Sequence, residues 1–439
     1  MPSQLRTPSF ELPKTDSDRR FLETDYPSEW AEAYRPGGFH PVNLGDSFKD
    51  GQYRVIRKLG YGSFSTVWLA KDHLNARYVA LKVMKARASL KPEPVLSIIK
   101  RIKDHSDDSM AKHILIYRDI FQHQGPNGTH LCLVSEPMGP TAASLAEELI
   151  PFENRTYDRT IRYPKYMARI ILKHTLIGLA FLHKNDIVHA DLQPGNILPA
   201  TSEIDALCED DLKQDQSGQD HYPKPLTLQR IDGLEDIWAP RRLYLDQSLL
   251  RYTPIDSRML WKISDFGSAF LTQTPPKAVV TPDALRAPEL ILGGVVNSSI
   301  DIWSFGCLVY EFLTGDTLFC VPKLGPNEEE SGDDDHLLQM NDILGPLPEA
   351  WLKHKWPRAN QYFGPNRERL DPNAGQNAGY QQEPYIDEPL ELLFEKNKPE
   401  NMDGTEASVI TSLIRGILQY DPSQRPSAAK LLEHPWFQD

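Results

Sequence analysis

The chain has 439 residues, of which 40% are hydrophobic and 25% charged. These ordinary proportions exclude a collagen, a coiled coil and a wholly disordered chain. The formal net charge of −13 argues against a nucleic-acid backbone as a direct partner and suits a basic peptide. No run of about 18 apolar residues predicts a membrane span. The four cysteines lack CxxC spacing, which predicts a reducing compartment without disulfide bonds or a zinc site.

The first part of the chain has the pattern of β-strands. Residues 1 to about 45 are polar and proline-rich, and they predict an extended arm. From Tyr53, "YRVIRKLGYGSFSTVWLAKD" alternates apolar and polar residues on both sides of a glycine turn, which predicts a β-hairpin. The segments "RYVALKVMKA" and "HLCLVSEPMG" predict two later strands.

After Gly139 the pattern becomes helical, and "YPKYMARIILKHTLIGLAFLHKND" predicts a buried helix. The order indicates an α+β protein with a small strand-rich lobe followed by a larger helical lobe. Two polar segments, about 200–258 and about 320–400, resemble insertions, and the second contains the charge run Glu328 to Asp335. We expect both to be solvated surface loops, because like charges repel and stay hydrated.

Two features of the strand region suit a triphosphate. Gly60 and Gly62 lie in the hairpin "LGYGSFSTVW", where the absence of a Cβ would let the backbone approach phosphate oxygens. Lys82 follows in "VALK" on the next strand, from which its ammonium can reach the α- and β-phosphates. Either feature alone is common in proteins that bind no nucleotide.

The segment "VHADLQPGNIL" supplies the groups that phosphoryl transfer requires. Asp191 can orient or accept the proton of an attacking hydroxyl, and Asn196 can hold a metal ion that bridges phosphates. We expect His189 to hold this loop through hydrogen bonds. Downstream, "SDFG" supplies Asp265 as the main Mg²⁺ ligand, with Gly267 permitting the turn. These signals in this order predict a phosphotransferase.

Further motifs carry a resemblance to a family. "APE" ends at Glu289, "DIWSFG" begins at Asp301, and "DPSQRPSA" contains Arg425. With these marks the chain resembles a eukaryotic protein kinase, which implies that Arg425 pairs with Glu289 and that the fold is bilobal. The implied divisions are an N-terminal extension over 1–52 and a kinase domain over 53–437, with an N-lobe of about 53–139 and a C-lobe of about 140–437.

The resemblance implies that the chain uses ATP and Mg²⁺, and that the amide of Met138 binds adenine. The catalytic residues it implies are Asp191, Lys82, Asn196 and Gln193, and the metal ligands are Asn196 and Asp265. The implied nucleotide-binding positions are Leu59, Gly60, Tyr61, Gly62, Ser63, Phe64, Ser65, Val67, Ala80, Lys82, Glu93, Glu136, Met138 and Asp265.

Within the kinases, "GFHPVNLGD" and "RKLGYGSFSTVWL" resemble the entry segment of the SR-protein kinases, and the insertion before "DFG" is typical of that group. This resemblance implies a monomeric serine/threonine kinase of the cytoplasm or nucleus. It also implies a protein substrate, of the basic Arg/Ser-rich kind that includes splicing factors.

The chain departs from the kinase pattern in several places. Ala190 and Gln193 stand where the HRDxKxxN pattern has Arg and Lys. Loss of the lysine charge at position 193 is expected to cost about 2–4 kcal/mol of transition-state stabilisation. The helix acid that should pair with Lys82 is assigned to Glu93, although prolines flank it. Asp283 and its neighbours differ from the basic and Tyr residues of SR-protein kinases.

Two alternatives to a protein kinase remain open. Gln193 and the unusual helix acid would suit a pseudokinase that binds ATP as a scaffold. "HADLQPGN" also resembles the loop of aminoglycoside and choline phosphotransferases, which act on small molecules. Those enzymes lack the "APE" and "DIWSFG" motifs and the terminal Arg found in this chain.

Overall fold

The computed structural model describes residues 7–149, 161–218, 224–321, 328–370 and 384–438, and the chain divides into two compact units. A strand-rich unit comprises Met1–Asp104, Leu115–Pro140 and Leu198–Leu260. A helical unit comprises His105–Ile114, Thr141–Ile197 and Trp261–Asp439. This division confirms the predicted α+β class.

The strands and helices are as follows. The strands are β1 (Ser47–Phe48), β2 (Tyr53–Tyr61), β3 (Ser65–Asp72), β4 (Arg77–Met84), β5 (Tyr117–Gly125), β6 (Gly128–Ser135), β7 (Ile187–Val188), β8 (Ile197–Pro199), β9 (Leu226–Thr227), β10 (Arg242–Leu243), β11 (Trp261–Ile263) and β12 (Phe270–Leu271). The helices are α1 (Glu93–Asp104), α2 (Ala142–Glu148), α3 (Lys165–Lys184), α4 (Glu209–Leu212), α5 (Pro288–Ile291), α6 (Ser299–Thr314), α7 (Glu328–Leu344), α8 (Glu349–His354), α9 (Ala359–Tyr362), α10 (Leu390–Asn397), α11 (Gly404–Ile417), α12 (Ala428–Leu431) and α13 (Pro435–Gln438).

Six strands form one antiparallel sheet in the order β1-β2-β3-β4-β6-β5. The β2–β3 hairpin is the one predicted from Tyr53, and β4 and β6 are the two later predicted strands. Because side chains alternate between the faces of a strand, one face of the sheet builds a core that includes Trp68, Leu81 and Val134. The register places Lys82 of β4 opposite Val67 of β3.

The prediction of an extended N-terminal arm is wrong for the described part of the segment. Its aromatic and small side chains are buried together with residues of the first insertion: Phe21, Ala31, Ala33, Tyr34, Phe39, Ala239 and Leu243. The side chain of Glu32 forms ion pairs with Arg20 at 3.2 Å and Arg35 at 2.8 Å. The segment therefore packs through its apolar side chains, and ion pairs compensate its buried charges.

The described part of the first insertion, which excludes residues 219–223, is likewise not a solvated loop. It contains α4, β9 and β10, and β9 pairs with β10 in antiparallel register. Leu212 and Leu249 of the insertion are fully buried against Ile56, Leu69 and Tyr78 of the sheet. The insertion is therefore part of the strand-rich unit, and its scattered leucines, which the acidic stretches mask in the sequence, provide the contacts.

The helical unit is built around two buried helices. The apolar residues of α3 are buried at three- and four-residue spacing, as predicted from the sequence. Helix α6 is buried along almost its whole length, including Asp301, Trp303 and Gly306. Among the described residues, no helix is both long and apolar enough to cross a membrane.

The second insertion is also more ordered than predicted. Its charge run forms the start of α7, and Asp334 within that run is buried. Asp334 accepts hydrogen bonds from Trp356 Nε1 at 2.6 Å, Arg358 Nε at 2.6 Å and Tyr362 OH at 3.0 Å. The predicted solvated loop is wrong here because distant partners neutralise the acid. Residues 322–327 and 371–383 of the insertion lie outside the described residues.

Candidate active site

The glycine-rich turn joins β2 to β3 in the strand-rich unit. The N–H of Gly62 donates to the carbonyl of Ser65 at 2.9 Å, which closes the turn. A Cβ built on Gly60 or Gly62 would meet no atom within 4 Å. Neither glycine is therefore needed for packing inside the fold. The open space above both backbones fits a group that approaches them from outside.

Lys82 lies on β4 at the centre of the sheet. Its backbone pairs with Val67 on β3 and with Leu133 on β6. Two residues earlier, Ala80 pairs with Ser135 at the end of β6. Three of the residues predicted to bind the nucleotide therefore occupy neighbouring positions in the sheet: Val67, Ala80 and Lys82.

Glu93 is the first residue of α1, a position where neighbouring prolines are tolerated, and its side chain is exposed. The buried face of α1 is formed by Ile98, Ile99 and Ile102, and the helix carries acids only at its two ends. The structure therefore gives Glu93 no buried environment for an ion pair. The pairing of Glu93 with Lys82 therefore stays a prediction. The buried face of α1 consists of the three isoleucines.

The segment after β6 contains Glu136 and Met138. The carbonyl of Glu136 accepts a hydrogen bond from Ser135 Oγ at 3.1 Å. Met138 is buried and pairs with Ala200 in an isolated antiparallel bridge. The next residue, Gly139, donates its N–H to the carbonyl of Pro199 at 2.8 Å. This segment is thus fastened at several points within its own unit.

In the helical unit, Asp301 holds the loop that contains the predicted catalytic Asp. The carboxylate of Asp301 accepts hydrogen bonds from the backbone N–H groups of His189 and Ala190, both at 2.8 Å. It also contacts His183 Nε2 at 2.9 Å. Ala190 has a φ of +66°, a conformation that an L-residue adopts only where its surroundings impose it. Asp301 is therefore the residue that fixes the start of this loop.

Both carboxylate oxygens of Asp191 are engaged. Gln193 Nε2 donates to Oδ1 at 2.7 Å, and Asn196 Nδ2 donates to Oδ2 at 3.0 Å. Burial raises the pKa of Asp191 and the nearby Asp265 carboxylate adds to this, while His189 and the two amides oppose it. The structure thus brings together four of the sequence-predicted site residues in one unit: Asp191, Gln193, Asn196 and Asp265.

Asp265 follows β11 and has a φ of +60°. The preceding residue, Ser264, donates its N–H and its Oγ to the carbonyl of Asn196 at 2.8 Å and 3.0 Å. The carbonyl of Ser264 contacts His189 Nε2 at 2.9 Å, as expected of a histidine that holds the loop. These bonds tie the DFG segment to the catalytic loop. Backbone strain at Asp265 is typical of functional sites.

The ion pair predicted from the resemblance is confirmed. Arg425 Nη1 and Nη2 bind the two carboxylate oxygens of Glu289 at 2.6 Å and 2.7 Å, and both side chains are buried. Arg425 Nη1 also donates to the carbonyl of Ser299 at 3.0 Å. This bidentate pair fixes the end of the activation segment against α6.

The sequence reasoning missed two residues that support the loop. Thr281 Oγ1 donates to the carbonyl of Ala190 at 2.7 Å and is buried. His183, at the end of α3, shares the carboxylate of Asp301 with the loop. No local pattern marks either residue, because each contact joins positions about a hundred residues apart.

The protein kinase domain sequence model matches residues 53–209 and 253–437. A serine/threonine-protein kinase SRPK of Physarum polycephalum is 31% identical over 433 residues, which cover 94% of this chain and 92% of that protein. SRSF protein kinase 3 of Homo sapiens is 24% identical over 541 residues, covering 94% and 90%. A crystallised kinase domain has a TM-score of 0.59 at 24% identity, covers 90% of this chain and 98% of its own, and supports the fold.

Proposed function

Because the chain belongs to the protein kinase family, we propose that it transfers the γ-phosphoryl group of ATP to serine or threonine in basic, Arg/Ser-rich protein segments. It is an SRPK-like serine/threonine kinase by its relatives.

The arrangement of Asp191 is the observation that carries the proposal. Gln193 and Asn196 hold one oxygen each, so the carboxylate has a fixed orientation in a loop fastened to Asp301. A carboxylate held in this way can orient an attacking hydroxyl and accept its proton. Because burial raises the pKa of Asp191, the carboxylate is a stronger base than an exposed Asp.

The oxygen atoms near Asp191 suit Mg²⁺, which prefers carboxylate and carbonyl ligands. Asp265 and Asn196 would hold the ion, with the amide oxygen of Asn196 facing it because the amide nitrogen donates to Asp191. Within the described ranges, no group of three or more His, Cys, Asp or Glu residues could hold a metal. When bound, Mg²⁺ supplies positive charge next to the phosphate oxygens.

The strand-rich unit would contact the nucleotide itself. The backbone of the glycine-rich turn is open above Gly60 and Gly62, which suits phosphate oxygens. Lys82 would contribute charge to the α- and β-phosphates, and the backbone of Met138 would bind adenine. Removing Lys82 would therefore weaken ATP binding.

Three features favour a basic protein substrate. The chain carries a net charge of −13, which raises the association rate of a cationic peptide. One relative is an SRSF protein kinase by name. In the segment before the "APE" motif, Asp283 forms an ion pair with Arg286 at 2.5 Å and remains partly exposed. An acid at that position suits a substrate with a basic residue close to the phosphorylated one.

An ATP-binding scaffold and a small-molecule phosphotransferase are less well supported. A scaffold has no need of a carboxylate whose two oxygens are both held, as those of Asp191 are. The buried Glu289–Arg425 pair joins two of the motifs by which the chain resembles the protein kinases and differs from the aminoglycoside and choline phosphotransferases. We further propose a monomer of the cytoplasm or nucleus.

A labelled-phosphate transfer assay tests the substrate class. The full chain is incubated with γ-labelled ATP and Mg²⁺ and one of several acceptors: an Arg/Ser peptide, the same peptide with each Arg replaced by Glu, choline, or an aminoglycoside. We expect incorporation into the Arg/Ser peptide alone, and none from the variant Asp191→Ala. Transfer to a small molecule, or equal incorporation by wild type and variant, would contradict the proposal.

A further inference from the structure

A fully buried lysine on β2 joins three parts of the strand-rich unit. Lys58 lies two residues before Gly60, and its side chain is 0% exposed. Its ammonium forms an ion pair with Glu29 of the N-terminal segment and donates to the carbonyl of Tyr244 in the first insertion at 2.8 Å. It also lies 5.0 Å from the ring centre of Tyr61, which belongs to the glycine-rich turn. The ammonium of Lys58 thus connects the glycine-rich turn to both the N-terminal segment and the first insertion.

The partners of Lys58 are themselves fixed. The carboxylate of Glu29 accepts a hydrogen bond from the hydroxyl of Tyr34, and both side chains are buried. The ammonium of Lys58 therefore has a carboxylate, a carbonyl and an aromatic face around it. A buried charge needs such compensation, because an ion transferred from water without partners is strongly unfavourable.

The backbone of the same stretch is held by two buried glutamines of the insertion. The N–H of Lys58 donates to Gln214 Oε1 at 2.8 Å, and its carbonyl accepts from the N–H of Gln247 at 3.0 Å. The carbonyl of Ile56 accepts from the N–H of Gln214 at 2.8 Å. These bonds occupy backbone groups that an edge strand would otherwise expose.

The contacts coincide with an irregularity in the sheet. The register between β2 and β3 shifts between Lys58 and Gly60, which is where the strand leads into the turn. A β-bulge redirects a strand and weakens its ladder, so the course of the chain beyond it depends on other contacts. Here those contacts come from Glu29, Tyr244 and the two glutamines.

We propose that Glu29 and Lys58 are positioning residues for the nucleotide, which set the course of the glycine-rich turn. On this inference, the N-terminal segment and the first insertion contribute to ATP binding because they position the glycine-rich turn. The inference rests on the proposed function, because it assumes that the turn contacts phosphates. It predicts that loss of the pair weakens ATP binding without affecting peptide binding.

The principal test uses the full chain with the double substitution Glu29→Gln and Lys58→Met. This change removes both charges at similar volume, so it avoids leaving one buried charge unpaired. Calorimetry gives the Kd of ATP with Mg²⁺, and steady-state assays give kcat and the KM values of ATP and an Arg/Ser peptide. We expect the Kd and KM of ATP to rise roughly tenfold, with kcat and the peptide KM changing less than about threefold.

Two further variants keep the test decisive. Gln214→Ala removes the acceptor of the Lys58 N–H and should also raise the Kd of ATP. It provides a second test of the positioning role if the double variant fails to fold. Glu209→Gln is the matched control, because it breaks the ion pair that Glu209 forms with Arg54 at 2.5 Å near the start of β2. The control should leave the Kd of ATP unchanged.

The outcomes separate this inference from the proposed function. A folded double variant, or a folded Gln214→Ala variant, that binds ATP within about twofold of wild type would overturn the positioning role. If wild type binds ATP but transfers no phosphate, the proposed function fails and the Kd values still decide the role of Glu29 and Lys58. If wild type binds no ATP, both are overturned.

Discussion

Gln193 donates its side-chain amide to Oδ1 of Asp191 at 2.7 Å, so an uncharged neighbour holds the central carboxylate of the catalytic loop. The hydrogen bond preserves the orientation of Asp191. It supplies no positive charge for the transferring phosphoryl group, however, because an amide is neutral. The structure thus separates two contributions that a lysine at this position would combine.

Substitution of Gln193 tests these two contributions separately. Gln193→Lys should raise kcat roughly 10- to 100-fold, because a charge directed at the transition state is worth a few kcal/mol. Gln193→Leu should lower kcat, because Oδ1 of Asp191 loses its donor. The measurement is kcat with saturating ATP and peptide. A Lys variant no faster than wild type would show that another group already supplies the charge.

Substitution of Asp301 should lower both the free energy of unfolding and kcat. Asp301→Asn replaces one acceptor oxygen by a donor nitrogen, so a backbone N–H of His189 or Ala190 loses its partner. We expect the free energy of unfolding to fall by about 1–3 kcal/mol and kcat to fall with it. Urea unfolding monitored by fluorescence gives the first quantity. The exposed Asp316→Asn serves as the control and should change neither.

The Glu289–Arg425 pair should show strong energetic coupling. Either Glu289→Gln or Arg425→Met alone leaves a buried charge without its partner, and each should destabilise the chain by about 3–5 kcal/mol. The double variant should lose less free energy of unfolding than the two single variants lose together, because neither side chain is then a buried charge without its partner. Denaturant unfolding of all four proteins measures the coupling. Additive losses would contradict a direct buried ion pair.

Glu311 on α6 should make the stability depend on pH. Burial raises the pKa of Glu311 to about 7. The folded chain therefore holds a proton that the unfolded chain releases near the ordinary value of 4.5, so the free energy of unfolding should fall as pH rises from about 4.5 to 7. The cost of ionising the buried carboxyl is of the order of 3 kcal/mol above that window.

The variant Glu311→Gln removes this dependence. It should be more stable than wild type at pH 8 and similar to it at pH 4, as measured by denaturant unfolding at both pH values. The exposed Glu400→Gln provides the matched comparison and should follow wild type at both. Equal stability of wild type and Glu311→Gln at pH 8 would show that the carboxyl is solvated when ionised.

The sequence predicted what depends on local pattern. Alternation around Gly60 and Gly62 predicted the β2–β3 hairpin, and helical spacing predicted α3, because side-chain period follows backbone geometry. The contact of Glu289 with Arg425 followed from the resemblance and not from any local pattern. Local residue order therefore sufficed for the hairpin and for α3, whereas the ion pair required the family resemblance.

Long-range packing could not be read in the same way. Glu29 and Lys58 are each an ordinary charge in the sequence, and only the fold brings them together in a buried site. The acidic run that contains Asp334 was predicted to be solvated, yet Asp334 is buried, Arg358 neutralises its charge and Trp356 donates a hydrogen bond to it. The composition of a segment gives its average polarity, whereas burial depends on partners from elsewhere in the chain.

If Asp191 directs phosphoryl transfer, the variant Asp191→Asn should lose turnover relative to wild type and keep its affinity for ATP. Both proteins are assayed for transfer from γ-labelled ATP to an Arg/Ser peptide, and both for ATP binding by calorimetry. We predict that kcat falls at least about 100-fold in the variant while the Kd of ATP changes little, because a neutral amide cannot accept the proton. Equal turnover by the two proteins would show that Asp191 does not direct the transfer.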